Sequence, residues 1–102
     1  MDGRKALELK FYEILDNTNV YFQPAGNVRM KYPCIVFRLD GLYDEKADNR
    51  SYYHQRRYLV QHIFKDLKNE KINEFLDMFK LISYETRFTA DDLYHDQYVL
   101  YW

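Results

Sequence analysis

A chain of 102 residues is long enough for one domain with a two-layer core and too short for two independent cores. Its 47% hydrophobic and 19% aromatic content excludes a disordered composition. The 15 basic and 16 acidic side chains leave a net charge of -1, which excludes the global positive field of a dedicated DNA-binding protein. Cys34 is the only cysteine, so there is neither an intrachain disulfide nor a cysteine-based zinc site, and a reducing compartment fits.

From Asp2 to about Asp16, Leu7, Phe11, Ile14 and Leu15 recur at helical spacing between Arg4, Lys5, Glu8 and Glu13, which predicts an amphipathic helix. Asn17-Thr18-Asn19 ends it, and Val20-Tyr21-Phe22 reads as a short extended piece closed by the turn cluster from Gln23 to Asn27. A second strand is expected from Tyr32 to Leu39, where Ile35, Phe37 and Leu39 alternate with Cys34, Val36 and Arg38. Cys34 inside that apolar strand reads as a buried, inert thiol.

Asp40-Gly41 opens a polar stretch, and residues 42–55 read as an extended loop or arm. The run Ser51 to Tyr58 leads into a third strand over Leu59–Phe64, and Asp66 to Asn69 form a connection. Ile72, Phe75, Leu76 and Phe79 fit the i, i+3, i+4, i+7 pattern of a second helix. Ile82, Tyr84, Thr86 and Phe88 then alternate with Ser83, Glu85 and Arg87, and Ala90-Asp91-Asp92 turns the chain into a last strand.

The order implies a single α+β domain over residues 1–102: a small, mostly antiparallel sheet with two helices packed on it, ending in a β-hairpin. The second helix could also act as a crossover that makes one strand pair parallel. In the last strand Tyr98, Leu100 and Trp102 belong to the core side, while Val99 and Tyr101 face the other way and need cover. Either one helix lies on each face, or the second face awaits a partner.

Chemistry-bearing residues are sparse. His54, His62 and His95 show no metal-ligand spacing, and His62 reads as a packed or sheet-surface histidine. His95, Asp96, Asp91 and Asp92 admit a divalent-metal reading, but turn and strand-entry chemistry explains them more simply. With three glycines there is no phosphate loop. No enzyme activity, cofactor or metal is expected. No run of signal-peptide length follows the first residues and no segment approaches a membrane span, so a protein made in the cytosol is expected.

Eleven tyrosines and seven phenylalanines exceed what so small a core can hide, so some rings are expected at the surface, as interface residues or as ordinary strand residues. The densest aromatic and basic cluster is Arg50, Tyr52, Tyr53, His54, Arg56 and Arg57, directly after the acidic Asp44, Glu45 and Asp48. In a cyclic assembly the acidic and basic segments could pair head to tail between neighbours. Alternatives are a solvated polar loop, or an aromatic and basic platform for single-stranded nucleic acid.

Several blocks resemble one family. Tyr32-Pro33-Cys34-Ile35-Val36-Phe37, Ala47-Asp48-Asn49, Arg56-Arg57-Tyr58 and the closing Phe88-Thr89-Ala90-Asp91-Asp92-Leu93 resemble the tail terminator, or tail-completion, proteins of long-tailed bacteriophages, across roughly residues 32 to 102. The helix, strands, helix, hairpin order agrees with that family. The resemblance implies a structural virion protein: a homo-oligomeric ring, typically a hexamer, that caps the tail tube and meets both the tail tube protein and the head connector protein. DNA at most passes through such a ring, and the site is the tail or head-tail junction of the virion, assembled in the host bacterial cytoplasm. A head-closure connector and a small monomeric binding module for nucleic acid or protein stand as alternatives.

Overall fold

The structure, a computed structural model, describes residues 3–47 and 50–102, with the backbone alone for residues 42–47 and 50–55. It is an α+β fold in the order α1 (Gly3–Leu15), β1 (Val20–Phe22), β2 (Cys34–Ala47), β3 (Arg50–Phe64), a 3-10 turn (Leu67–Asn69), α2 (Ile72–Met78), β4 (Ile82–Ala90) and β5 (Leu93–Tyr101). The sheet runs β1-β2-β3-β5-β4, with β1 and β2 parallel and every other neighbouring pair antiparallel. No helix among the described residues is long and apolar enough to cross a membrane.

Helix α1 forms where its apolar spacing predicted, and Leu7, Phe11, Ile14 and Leu15 are its buried residues. It stops at Asp16, whose φ of 58° is left-handed and whose N–H donates to the Tyr12 carbonyl at 2.8 Å. The Asn17 side chain then accepts from the Asn19 N–H at 2.8 Å, which turns the chain toward β1.

Phe11 is the hub of the core. Its ring centroid lies 5.2 Å from Phe37 of β2, 6.3 Å from Phe75 of α2 and 5.8 Å from Phe79, so one side chain joins both helices to the sheet. Tyr58, Val60, Tyr98 and Leu100 complete this layer. Both helices therefore pack on one sheet face, which rules out one helix on each face.

Helix α2 connects β3 to β4, but β5 inserts between them, so β3 and β4 run in the same direction without touching as neighbours. The parallel neighbours are β1 and β2 instead. Helix α2 is only seven residues long, and Phe79 follows it in extended conformation. The inward positions are thus Phe75 and Phe79, while Leu76, expected on the core side, is 41% exposed.

The main departure from the expected layout is the β2–β3 connection. Strands expected to end at Leu39 and to start at Leu59 continue as a paired ribbon, with Gly41 opposite Arg57, Tyr43 opposite Gln55 and Ala47 opposite Arg50. The stretch read as a loop is therefore a hairpin arm, with bulges between Leu39 and Gly41 and between Glu45 and Lys46. The sequence over this stretch lacks the strict apolar alternation that marks a strand, so it gives no strand signal. The arm contributes to an elongated molecule of 50 × 28 × 23 Å.

The terminal hairpin matches expectation in its turn. Asp91 and Asp92, with φ of 53° and 62°, form a two-residue connection between the paired Ala90 and Leu93, a geometry in which both central residues are left-handed. The alternation expected along β4 breaks, however, because the register shifts between Tyr84 and Thr86. Past that bulge Arg87 takes the helix side, opposite Asp96, and Thr86 and Phe88 take the other.

Trp102 closes the core at the other end of β5, where its indole N–H donates to the Gly3 carbonyl at 2.8 Å and its ring meets Phe79 edge-on at 6.0 Å. Trp102→Phe keeps the ring contact and removes the donor, so a loss of about 1 kcal/mol is expected. A urea midpoint followed by far-UV circular dichroism measures it, and an unchanged midpoint would mean that this bond contributes nothing net.

Candidate interaction surface

Strand alternation sends Tyr58, Val60, His62, Tyr98 and Leu100 toward the helices and Leu59, Gln61, Ile63, Gln97 and Val99 to the opposite face. One end of that second face is closed by the chain itself. Met30 and Tyr21 pack on Cys34, Ile63 and Leu93, and the Tyr21 hydroxyl accepts from the Lys31 N–H at 3.0 Å. Cys34 is buried there as expected, and desolvation pushes its thiol up to about 12.

Toward the arm, no helix covers the second face. Val36 and Leu59 are half-buried, Arg38 is exposed, and Gln61 donates to Gln97 across the strands at 3.1 Å. Val99 and Tyr101 lie on this side as the alternation required, Val99 buried among its neighbours and Tyr101 half-buried. Toward β4, Phe88 stacks on His95 with centroids 4.8 Å apart and remains 40% exposed.

At the root of the arm the same face forms an open groove of about 650 Å³, walled by Gln23, Pro24, Val36, Arg38, Leu59 and Gln61. Its lip marks where β1 ends. The Gln23 side chain accepts from the Leu39 N–H at 3.1 Å, so a side chain takes the place that a longer β1 would have filled.

The residues expected to form an interface lie in or beside the arm. Asp44, Glu45, Arg50, Tyr52, Tyr53 and His54 belong to the ribbon by their backbone, with Asp44 opposite His54 and Glu45 opposite Tyr53. Asp48 lies outside the described residues, as does Asn49 of the Ala47-Asp48-Asn49 block. The acidic and basic runs, expected to meet between neighbours, are thus adjacent strands of one hairpin.

Arg56 and Arg57 stand at the root. Arg56 is exposed and its backbone exchanges both hydrogen bonds with Trp102, at 3.3 and 2.9 Å. The Arg57 guanidinium lies 3.5 Å from the Asp40 carboxylate, so an acidic partner is already supplied within the chain. The groove residues Arg38, Leu59 and Gln61 were not singled out from sequence. Their signal was the strict alternation of β2 and β3, which marks a second face without saying that it stays uncovered.

A separate polar cluster lies beneath α2. Asp96 is fully buried and receives a two-pronged contact from Arg87, at 2.6 and 2.8 Å, with the Tyr84 hydroxyl donating at 3.3 Å. The hydrogen bond to Asp96 raises the Arg87 guanidinium further. His62 is the register partner of Asp96 and is fully buried between Phe64, stacked at 4.6 Å, and Phe75 at 5.7 Å. Neither ring nitrogen of His62 has a hydrogen-bond partner among the described residues, nor has the Tyr98 hydroxyl. Burial pushes the Tyr98 phenol well up.

His62 is thus a packed histidine, as expected. His95 and Asp96, adjacent on β5, face opposite sides of the sheet, and Asp91 and Asp92 are spent on the turn. Among the described residues no three His, Cys, Asp or Glu side chains are placed to hold a metal ion. The Asp96 carboxylate, fully buried and enclosed by its own donors, ties β4 to β5.

No protein-family model, curated protein or solved structure matches the chain.

Proposed function

We propose that this protein is a structural virion component that assembles as a ring of like subunits, completes the tail tube of a long-tailed bacteriophage and joins it to the head connector. One observation carries the reading: both helices cover one sheet face, while the other stays open beside an arm that leaves the body. Such a shape has two unlike surfaces, as head-to-tail closure requires. The element order and the blocks resembling tail-completion proteins support the same assignment. Catalysis has no part in it, and DNA passes through the ring without being gripped.

The location that follows is the tail or head-tail junction of the virion. A head-closure role would use the same surfaces, and binding to tail tubes rather than to connectors separates the two. Native mass spectrometry over a concentration series, with negative-stain images, is expected to give a closed ring, most simply of six copies. If only monomer is found at every concentration, purified tail tubes are added next. A monomer that also ignores tail tubes overturns the proposal.

A further inference from the structure

We infer that the arm of one copy lies in the open groove of the next, with the acidic run of the arm set against Arg38. This rests on the assembly reading above and names the contact that builds the ring.

The donor side follows from the arm's own instability. A two-stranded ribbon by itself is marginal in water, and among the described residues no third strand lies beside this one: β1 reaches β2 only at Ile35–Phe37, and the pairing of β3 with the chain's last strand begins at Arg56. A surface that covers the ribbon therefore stabilises it. From Gly41 to Ala47 the arm extends on the order of 20 Å at a strand's rise per residue. The molecule is 28 × 23 Å across, so an arm of that length reaches most of the way across a neighbour's body.

The receiving side follows from charge. From Leu42 to Asn49 the sequence holds three carboxylates, Asp44, Glu45 and Asp48, against the single cation Lys46. At the groove, Asp40 and Arg57 form an ion pair at 3.5 Å, while Arg38 is exposed and has no ion-pair partner among the described residues. Arg29 and Lys31, exposed in the segment that closes the far end of the same face, add to its positive sign. The groove thus joins apolar walls from Val36 and Leu59, two glutamines and an unspent guanidinium. The first strand of the arm, with its acidic excess and Tyr43, has the matching chemistry.

The test is a charge exchange read by native mass spectrometry. Arg38→Glu alone, and Asp44→Lys with Glu45→Lys alone, should each weaken self-association about tenfold, since each sets like charges together. The three changes combined in one chain should restore it. Mixing the two defective variants should also restore it, with rings of equal composition in which the two masses alternate.

Circular dichroism melting of each variant separates lost assembly from lost folding, and the mixture keeps the test decisive even if the triple variant does not fold. A wild-type chain that assembles alongside an unaffected Arg38→Glu chain overturns this contact and leaves the ring intact as a reading. Failure of the mixture to assemble overturns it equally. A wild-type chain that never assembles, with or without tail tubes, removes the assembly reading and this contact together.

Discussion

Arg87→Met is expected to destabilise the fold by about 3 to 5 kcal/mol, and Asp96→Asn by clearly less, although the two changes break the same ion pair. The asymmetry comes from burial. Asp96 is fully buried, whereas the Arg87 side chain keeps 31% of its surface in solvent. Without Arg87 the carboxylate stays in the core with a single donor, the Tyr84 hydroxyl at 3.3 Å. Without the carboxylate, the guanidinium can swing out into water, and its cation contacts with Phe64 and Tyr94, at 5.5 and 5.9 Å, cost little to lose. The pair Arg87→Met with Asp96→Leu should recover most of the loss, because two apolar groups replace two charges at similar volume. Urea unfolding of the three variants gives the comparison. Equal losses for the two single changes would show that the buried carboxylate is not the costly member.

The second large effect is acid sensitivity from His62. Burial holds its imidazole neutral and lowers its pKa from 6.5 to about 4, with Lys71 and Arg87 acting in the same sense and Asp96 opposing them. Above pH 6.5 both folded and unfolded chains carry the ring neutral, and full stability is present. As pH falls below that, the unfolded chain takes a proton that the folded chain refuses, so stability drops until the folded pKa is reached. The drop attributable to this residue is about 3 kcal/mol, a large share of the margin of a small domain. In His62→Phe the ring can still stack on Phe64 and Phe75, and the difference in unfolding free energy between the two proteins should shrink or change sign steadily from pH 7 to pH 4. Taking the difference between the two proteins removes the titration of groups remote from His62. A pH-independent difference would place the ring in contact with solvent.

Much of this fold could be read from residue patterns, and the unread parts share one cause. Helix α1, the position of α2, the alternation of β2 and the Asp91-Asp92 turn each follow from local periodicity or local turn chemistry. The arm did not, because Leu42 to Gln55 show no period of two, and its pairing is recorded only in the backbone register. The bulge near Glu85 escaped as well. It swaps the sides of Thr86 and Arg87 to bring the guanidinium to Asp96, a contact nine residues away that no local pattern records. At the candidate site, sequence marked the arm residues but not their receiver. Arg38 stands in an ordinary strand repeat, and what distinguishes it, a face that neither helix covers and no ion-pair partner among the described residues, is a property of the assembled sheet.

The closure of one end of that face by Met30 and Tyr21 has a practical consequence. A thiol sealed beneath them, and held almost wholly protonated at neutral pH, is silent toward maleimides and disulfide exchange. Since Cys34 is the only cysteine in the chain, a cysteine placed on the arm tip or beside the groove becomes its sole reactive handle. Spin or fluorescent labels can then report distances between neighbouring copies without first altering the native residue.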